Sequence, residues 1–268
     1  MKLNPKSEIV HGNKQVYTDL VISAHQDDIE IMCPQGIIKG YQSKDFGLVA
    51  VVTTNGSGSP RSGRFASMTD EEMMKVRRLE QMEAARIGDY SELIMLNFTS
   101  SEIKDKSNPQ PTSDIAEIIK TYRPRTMYIH NLADKHPTHV ATAVRCIEAA
   151  RALPKGERPE KLYGCEVWRG LDWLNDDEKV VFDVSGYDKL LENVLAVYES
   201  QIAGGKRYDL ATLGRRRANA TYSESHGVDS CNQAAYAMDL TPLIEDDRLD
   251  IREFVLAAVD RFKNSILV

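Results

Sequence analysis

Two apolar runs, Asp19-Leu20-Val21-Ile22-Ser23-Ala24 and Arg125-Thr126-Met127-Tyr128-Ile129-His130, constrain the fold of this chain more than any other feature. Neither shows the strict apolar–polar alternation of a strand with one wet face. Both read as strands covered on two sides, the habit of parallel sheets flanked by helices. The rest of the sequence supports that reading by alternating helix-like with strand-like segments. A helix pattern spans 30–42, a strand 47–53, a helix 69–87, a strand 92–97 and a helix 113–122. After the second run come a helix from Pro137 to Ala152, strand-like stretches at 162–168 and 179–184, a helix near 186–203 and a helical tail over 247–266. Asn108–Thr112, with its two prolines, reads as a loop.

This order predicts an α/β fold with a Rossmann-like, mostly parallel sheet. No linker rich in Pro, Gly or Ser divides the 268 residues, so a single domain over 1–268 is expected. In such sheets ligands bind beyond the carboxyl ends of the strands. Both apolar runs end there in a polar cluster: His25-Gln26-Asp27-Asp28-Ile29-Glu30 after the first, Asp134-Lys135-His136-Pro137-Thr138-His139 after the second. Two carboxylates and an imidazole within four positions need a cation or hydrogen bonds to compensate them. A mixed His/Asp/His donor set suits Zn²⁺, with Fe²⁺, Mn²⁺ or Co²⁺ as other fits. An aspartate pair after a single strand would more simply favour a helix dipole; it is the second cluster that turns the reading toward metal.

Ala24-His25-Gln26-Asp27-Asp28-Ile29-Glu30 resembles the Ala-His-Pro-Asp-Asp-Glu signature of the LmbE-like (PIG-L) zinc-dependent N-deacetylases, the N-acetylglucosaminyl deacetylase superfamily. Asp134-Lys135-His136-Pro137-Thr138-His139 resembles their downstream His-Pro-Asp-His signature. Val51 to Gly56, Arg77-Arg78-Leu79-Glu80 with Ala84, Ala85 and Gly88, and Tyr198-Glu199-Ser200-Gln201 follow in the family's order. The resemblance implies that His25, Asp28 and His139 bind zinc and that Asp27 is the general base. It implies that His136 stabilises the oxyanion or donates a proton to the departing amine. Arg77 would hold a hydroxyl or anionic group of the substrate with its fork of donors; alternatively, Arg77 and Glu80 decorate a helix face at a common spacing.

The implied activity is hydrolysis of an N-acetylated amino-sugar conjugate, of the N-acetylglucosamine type, to acetate and an amine. A different reading is a weak or inactive relative that binds a sugar-like ligand. It rests on Thr138, where the family has aspartate, and on Gln233-Ala234-Ala235-Tyr236, which lacks the glutamate of the family's late Ala-Glu-Ala-Phe-like segment. Gln26, in place of the signature's proline, is expected to loosen the turn slightly. Asp134 is available to replace the missing carboxylate.

The remaining candidates have simpler readings. His11 reads as a surface residue, His130 as a polar strand end, and His226 as part of a Ser/Glu/Gly-rich loop. Arg215-Arg216-Arg217 reads as a solvated face, or as a clamp if the substrate is anionic. Trp168, Arg169 and Trp173 read as core and loop residues before an aglycone pocket. Asn55 to Pro60 lacks the lysine and spacing of a phosphate loop and is expected to be a flap beside the site. The net charge of −6 argues against a nucleic-acid partner. Four cysteines without a Cys-x-x-Cys pair read as reduced thiols. An N-terminus without a signal-peptide pattern, and the lack of any bilayer-length apolar run, point to the cytoplasm and away from membranes. A homo-oligomer is left open.

Overall fold

The structure, a computed structural model, describes residues 1–267. Its strands are β1 (Glu8–His11), β2 (Asp19–Ser23), β3 (Leu48–Thr54), β4 (Glu92–Phe98), β5 (Thr126–His130), β6 (Lys161–Cys165), β7 (Lys179–Asp183) and β8 (Ala234–Asp239). They form one eight-stranded sheet in the order β1-β4-β3-β2-β5-β6-β8-β7. The segment from β4 to β6 is parallel throughout, whereas β1 pairs antiparallel with β4 at one edge and β8 runs antiparallel to β6 and β7 at the other. The chain steps outward from β2 through β3 to β4, then returns to place β5 on the opposite side of β2. The sheet's switch point therefore lies between β2 and β5, the two apolar runs of the sequence.

The helices are α1 (Asp28–Met32), α2 (Pro34–Gln42), α3 (Asp70–Ile87), α4 (Ser100–Lys104), α5 (Gln110–Tyr122), α6 (Pro137–Arg151), α7 (Asp188–Ala196), α8 (Glu199–Ile202), α9 (Tyr208–Tyr222), α10 (Pro242–Glu245) and α11 (Ile251–Ser265). Every residue of β2 and β3 is buried, as their unbroken apolar character required. Leu20, Ile22, Val49, Val51, Met127 and Ile129 point to one face, where they meet Ile115 and Ile119 of α5 and Cys146 and Ile147 of α6. Val21, Ala50, Val52 and Tyr128 point to the other, against Ile29 of α1, Ile37 of α2 and Val194 of α7. Among the described residues no helix is long and apolar enough to cross a membrane.

Several boundaries differ from those read in the sequence. The helix expected over 30–42 is two helices: Cys33 leaves helical geometry and Pro34 opens α2 at a position where its missing N–H is not needed. The loop expected through Thr112 ends at Pro109, because Pro111 sits in the first turn of α5. The helix expected near 186–203 is likewise divided into α7 and α8. Cys33, Cys146 and Cys165 are buried and all four cysteines are free thiols.

At the start of β3, Gly47 accepts hydrogen bonds from Thr18 N (2.8 Å) and Asp19 N (3.1 Å), tying the entry of β3 to that of β2. A Cβ there would lie 1.5 Å from the Val16 carbonyl oxygen, so the strand approach requires glycine. Gly47→Ala should lower the free energy of unfolding by about 2–3 kcal/mol, the upper range for ordinary single substitutions, measured from the urea midpoint.

Candidate metal centre

The parallel register of β2 with β5 sets the turns after these strands side by side. After β2 the chain passes through His25 and Gln26 to Asp27, whose φ of 87° is left-handed backbone that a non-glycine residue adopts at a cost. That turn points Asp28, the first residue of α1, back toward His25: Asp28 Oδ2 accepts from His25 N at 2.7 Å. After β5, His136 caps α6 and His139 follows one turn later, their rings stacked with centroids 4.7 Å apart.

The two turns converge on three donor atoms. His25 Nδ1 lies 3.1 Å from His139 Nε2 and 3.2 Å from Asp28 Oδ2, and His139 Nε2 lies 3.2 Å from Asp28 Oδ2. A tetrahedral zinc with ligands at about 2.0–2.1 Å separates its donors by about 3.3 Å. This near-equilateral triangle of two imidazole nitrogens and a carboxylate oxygen therefore has the spacing and chemistry to hold a small divalent cation.

Electrostatics agree with that geometry. Burial opposes charge on both Asp28 and His139, yet each overrides it for the other. Asp28 is held well below the usual carboxylate range, and His139, with Asp134 adding to the pull of Asp28, is pushed up to about 9. A proton on His139 thus supplies the positive charge that a cation would supply in its place. Burial lowers His136 to about 4, helped by the neighbouring His25 and His139 rings. His136 is accordingly neutral at pH 7. Its Nδ1 accepts from Thr138 N at 3.3 Å, which assigns the ring proton to Nε2.

Asp134 Oδ1 stands 3.3 Å from His139 Nδ1, an ion-pair contact rather than a well-aligned hydrogen bond. The same carboxylate is fixed by the backbone N–H groups of His136 (2.9 Å), Trp168 (3.0 Å) and Arg169 (3.2 Å). A carboxylate therefore backs His139 although Thr138 occupies the position between the two histidines. Gln26 does not loosen the turn: it is buried, and its Nε2 donates to Thr54 O at 3.0 Å. The Asn55 to Pro60 loop comes close enough that a Cβ on Gly56, at φ 75°, would meet Gln26 Oε1 at 2.7 Å.

Arg77 is placed neither on a solvated helix face nor free to reach outward. It is buried, donating to Asp27 Oδ2 at 2.7 Å, to the Gln26 carbonyl, to Glu80 Oε2 at 3.0 Å and to Ser200 Oγ at 3.4 Å. Glu80 in turn accepts from Ser200 N and Oγ, each at 2.7 Å. Burial raises Asp27 to about 6, with Asp28 adding and Arg77 opposing.

His130 was read as an unremarkable strand end. It is fully buried, stacks on His139 with centroids 4.0 Å apart, and its Nε2 lies 3.6 Å from Asp28 Oδ2. That nitrogen already accepts from Ala24 N at 2.8 Å, so His130 supports the centre without a free lone pair for a ligand. Its place at the end of the strand carrying the second cluster was the signal for it. His226 is exposed and outside the cavity. The three adjacent arginines diverge: Arg215 lines the cavity, Arg216 is buried and donates to the Glu30 carbonyl at 2.6 Å, and Arg217 is exposed. The cavity over the centre measures about 680 Å³; His25, Asp27, Asp28, Arg77 and His136 lie on its floor, and Gly56, Ser59, Trp168 and Tyr208 are in its walls.

Comparison with known proteins now bears on this arrangement. The family model for PIG-L, GlcNAc-PI de-N-acetylase, matches residues 20–150, which include every residue of the triangle with Asp27, Arg77 and His136. Just under half of the chain, residues 20–150, thus matches the PIG-L model. A relative from Escherichia coli K12, the uncharacterized deacetylase YaiS, is 28% identical over 136 residues, covering 51% of this chain and 69% of its own. Among solved structures, the N,N'-diacetylchitobiose deacetylase of Pyrococcus horikoshii superposes with a TM-score of 0.67 at 17% identity, covering 90% of this chain and 89% of that one. GalB, the 4-carboxy-2-hydroxymuconate hydratase of Pseudomonas putida KT2440, superposes with a TM-score of 0.66 at 17% identity, covering 84% and 96%. These two likenesses establish the fold of the chain. Because one neighbour is a deacetylase and the other a hydratase, the fold alone does not select the reaction.

The ion pair between Arg77 and Asp27 gives a direct test of the buried network. Arg77→Leu leaves the Asp27 and Glu80 carboxylates buried without their cation, and should cost about 3–5 kcal/mol of stability, read from denaturant unfolding.

Proposed function

We propose that this protein is a metal-dependent N-deacetylase acting on an N-acetylated amino-sugar conjugate, a small molecule of the N-acetylglucosamine type. The observation that carries the proposal is the donor triangle with the Asp27 carboxylate beside it on the floor of an open cavity. His25, Asp28 and His139 would hold the metal, Zn²⁺ being the first choice for two imidazoles and a carboxylate, with Fe²⁺, Mn²⁺ and Co²⁺ compatible. Such a cation, when bound, polarises an acyl oxygen and makes water more acidic.

The chain's own residues supply the rest. Asp27, raised to about 6, is ionised at neutral pH yet basic enough to take a proton from the attacking water. Arg77 engages its Oδ2, which leaves Oδ1 for that transfer. Arg77 is thus a positioning residue that meets the substrate across Asp27. The water oxygen bonds to the acyl carbon as its proton passes to Asp27. His136, neutral with its proton on Nε2, donates a hydrogen bond to the oxygen that gains charge. The carbon–nitrogen bond then breaks, the proton returns from Asp27 to the amine, and acetate and an amino sugar leave. The position of Asp134 against His139 weakens the argument for an inactive ligand-binding relative, which rested on Thr138.

Two measurements test this reading. Zinc-loaded protein given a panel of N-acetylglucosamine derivatives should release acetate, and a chelator should abolish the release until metal is restored. Asp27→Ala should retain the metal while losing about 10²–10⁴-fold in turnover; full turnover in the variant would remove Asp27 as base, and chelator-insensitive release would remove the metal. In a separate experiment Asp134→Asn should weaken zinc binding about 10–100-fold, measured by competition with a chromophoric chelator.

A further inference from the structure

The walls of the cavity carry a charge pattern that amide hydrolysis does not require. Its only lining carboxylates, among the described residues, are Asp27 and Asp28, whereas Lys104, Lys206 and Arg215 also line it and form no ion pair within 4.0 Å, the Glu166 carboxylate acting on Arg215 from farther off. In a chain of net charge −6, cations left unpaired around one cavity are a focused positive field. Lys206 Nζ sits over the Trp168 ring, 5.0 Å from its centroid, and Arg215 is anchored through Nη1 to the Val167 carbonyl. Trp168 meets Tyr208 edge to face at 5.8 Å. Tyr208 lines the same cavity as Asp27 and Asp28 and so carries this wall toward them. Lys206, Arg215 and Trp168 all lie outside the residues matched by the family model, so this wall belongs to the chain's own later segments.

We propose that the outer half of the cavity is a subsite for an anionic substituent, a carboxylate or a phosphate, carried by the substrate and read by Lys206 and Arg215 with Lys104 on the same rim. Trp168 offers the substituent's apolar part a flat face, and the cations, none of them ion-paired with a carboxylate among the described residues, compensate its charge. The proposal takes the identity of the inner group from the deacetylase reading, but the subsite stands on its own residues.

Products test it without turnover. Binding of glucosamine 1-phosphate, carboxymethyl glucosaminide and methyl glucosaminide to zinc-loaded protein is measured by calorimetry at low and high salt. The phosphate or the carboxylate compound should bind on the order of tenfold more tightly than the neutral glycoside, and the anion that gains more names the source. Added salt should erode that gap alone. Lys206→Ala, at an exposed position that does not endanger folding, should narrow the gap about fivefold, and Lys206→Glu should abolish it. Equal affinity for all three compounds, binding of none, or a gap that survives Lys206→Glu because the metal holds the anion, would each overturn the subsite. Acetate release is scored separately. Anion preference without acetate release keeps the subsite and removes the deacetylase reading; release without preference does the reverse.

Discussion

The pairing of β2 with β5 at the switch point of the sheet is the constraint from which the rest of the site follows. Parallel strands end on the same side, so the turns that follow them meet over one crevice. Here the turns carry His25 to Asp28 and Asp134 to His139, and their convergence crowds carboxylates and imidazoles into a space that burial would otherwise discharge. The closeness of Asp28 to His139 and His25 is tolerable only with positive charge at the centre, whether a proton or a metal ion supplies it.

Around that point lies a shell of groups whose work is positional. Asp27 occupies left-handed backbone, a conformation costing on the order of 1–3 kcal/mol, and Arg77 offsets it by binding both the Asp27 carboxylate and the Gln26 carbonyl. Glu80 and Ser200 fix Arg77 in turn, so a residue of α8 helps to hold the turn after β2. Glu30, two residues beyond Asp28, accepts from Tyr90 at 2.6 Å, Tyr198 at 2.7 Å and Gln81 at 3.0 Å, and burial raises it to about 7. Arg216 closes the same helix from its far end by donating to the Glu30 carbonyl. The short helix bearing Asp28 is thereby anchored from α3, α9 and the turns before β4 and α8, as a site built on few residues requires.

What was legible in the sequence follows a physical divide. The core strands announced themselves because two-sided burial leaves unbroken Val, Ile and Leu, and the meeting of the two His/Asp clusters because such residue types are costly to bury without compensation. β1 and β8 did not: the first is a four-residue edge, and Ala234-Ala235-Tyr236-Ala237-Met238-Asp239 has little of the β-branched character that marks a strand. Its strand geometry comes from pairing with β6 and β7. α9 was hidden for a related reason, since Arg215, Arg216 and Arg217 look like one solvated face, yet helical rotation sends them to the cavity, the interior and the surface. The burial of Arg77 was equally hidden, because a spacing of three to Glu80 looks the same on a wet face and in the core.

The reaction, unlike the fold, cannot be argued from shape, because structures with the same sheet include both a deacetylase and a hydratase. Both chemistries need water activated beside a carbon centre, and what separates them is which atoms of the substrate the pocket brings to that water. In the deacetylase reading proposed above, Asp27 and neutral His136 would serve as proton acceptor and hydrogen-bond donor to the reacting amide. The cavity walls bear Lys206, Arg215 and the Trp168 ring in segments outside the matched residues. The proposed chemistry thus sits at the switch point, where strand order leaves little freedom, whereas the cavity wall draws on α9 and the segment after β6, which also contribute Arg216 to the helix bearing Asp28 and the Trp168 and Arg169 N–H groups to Asp134.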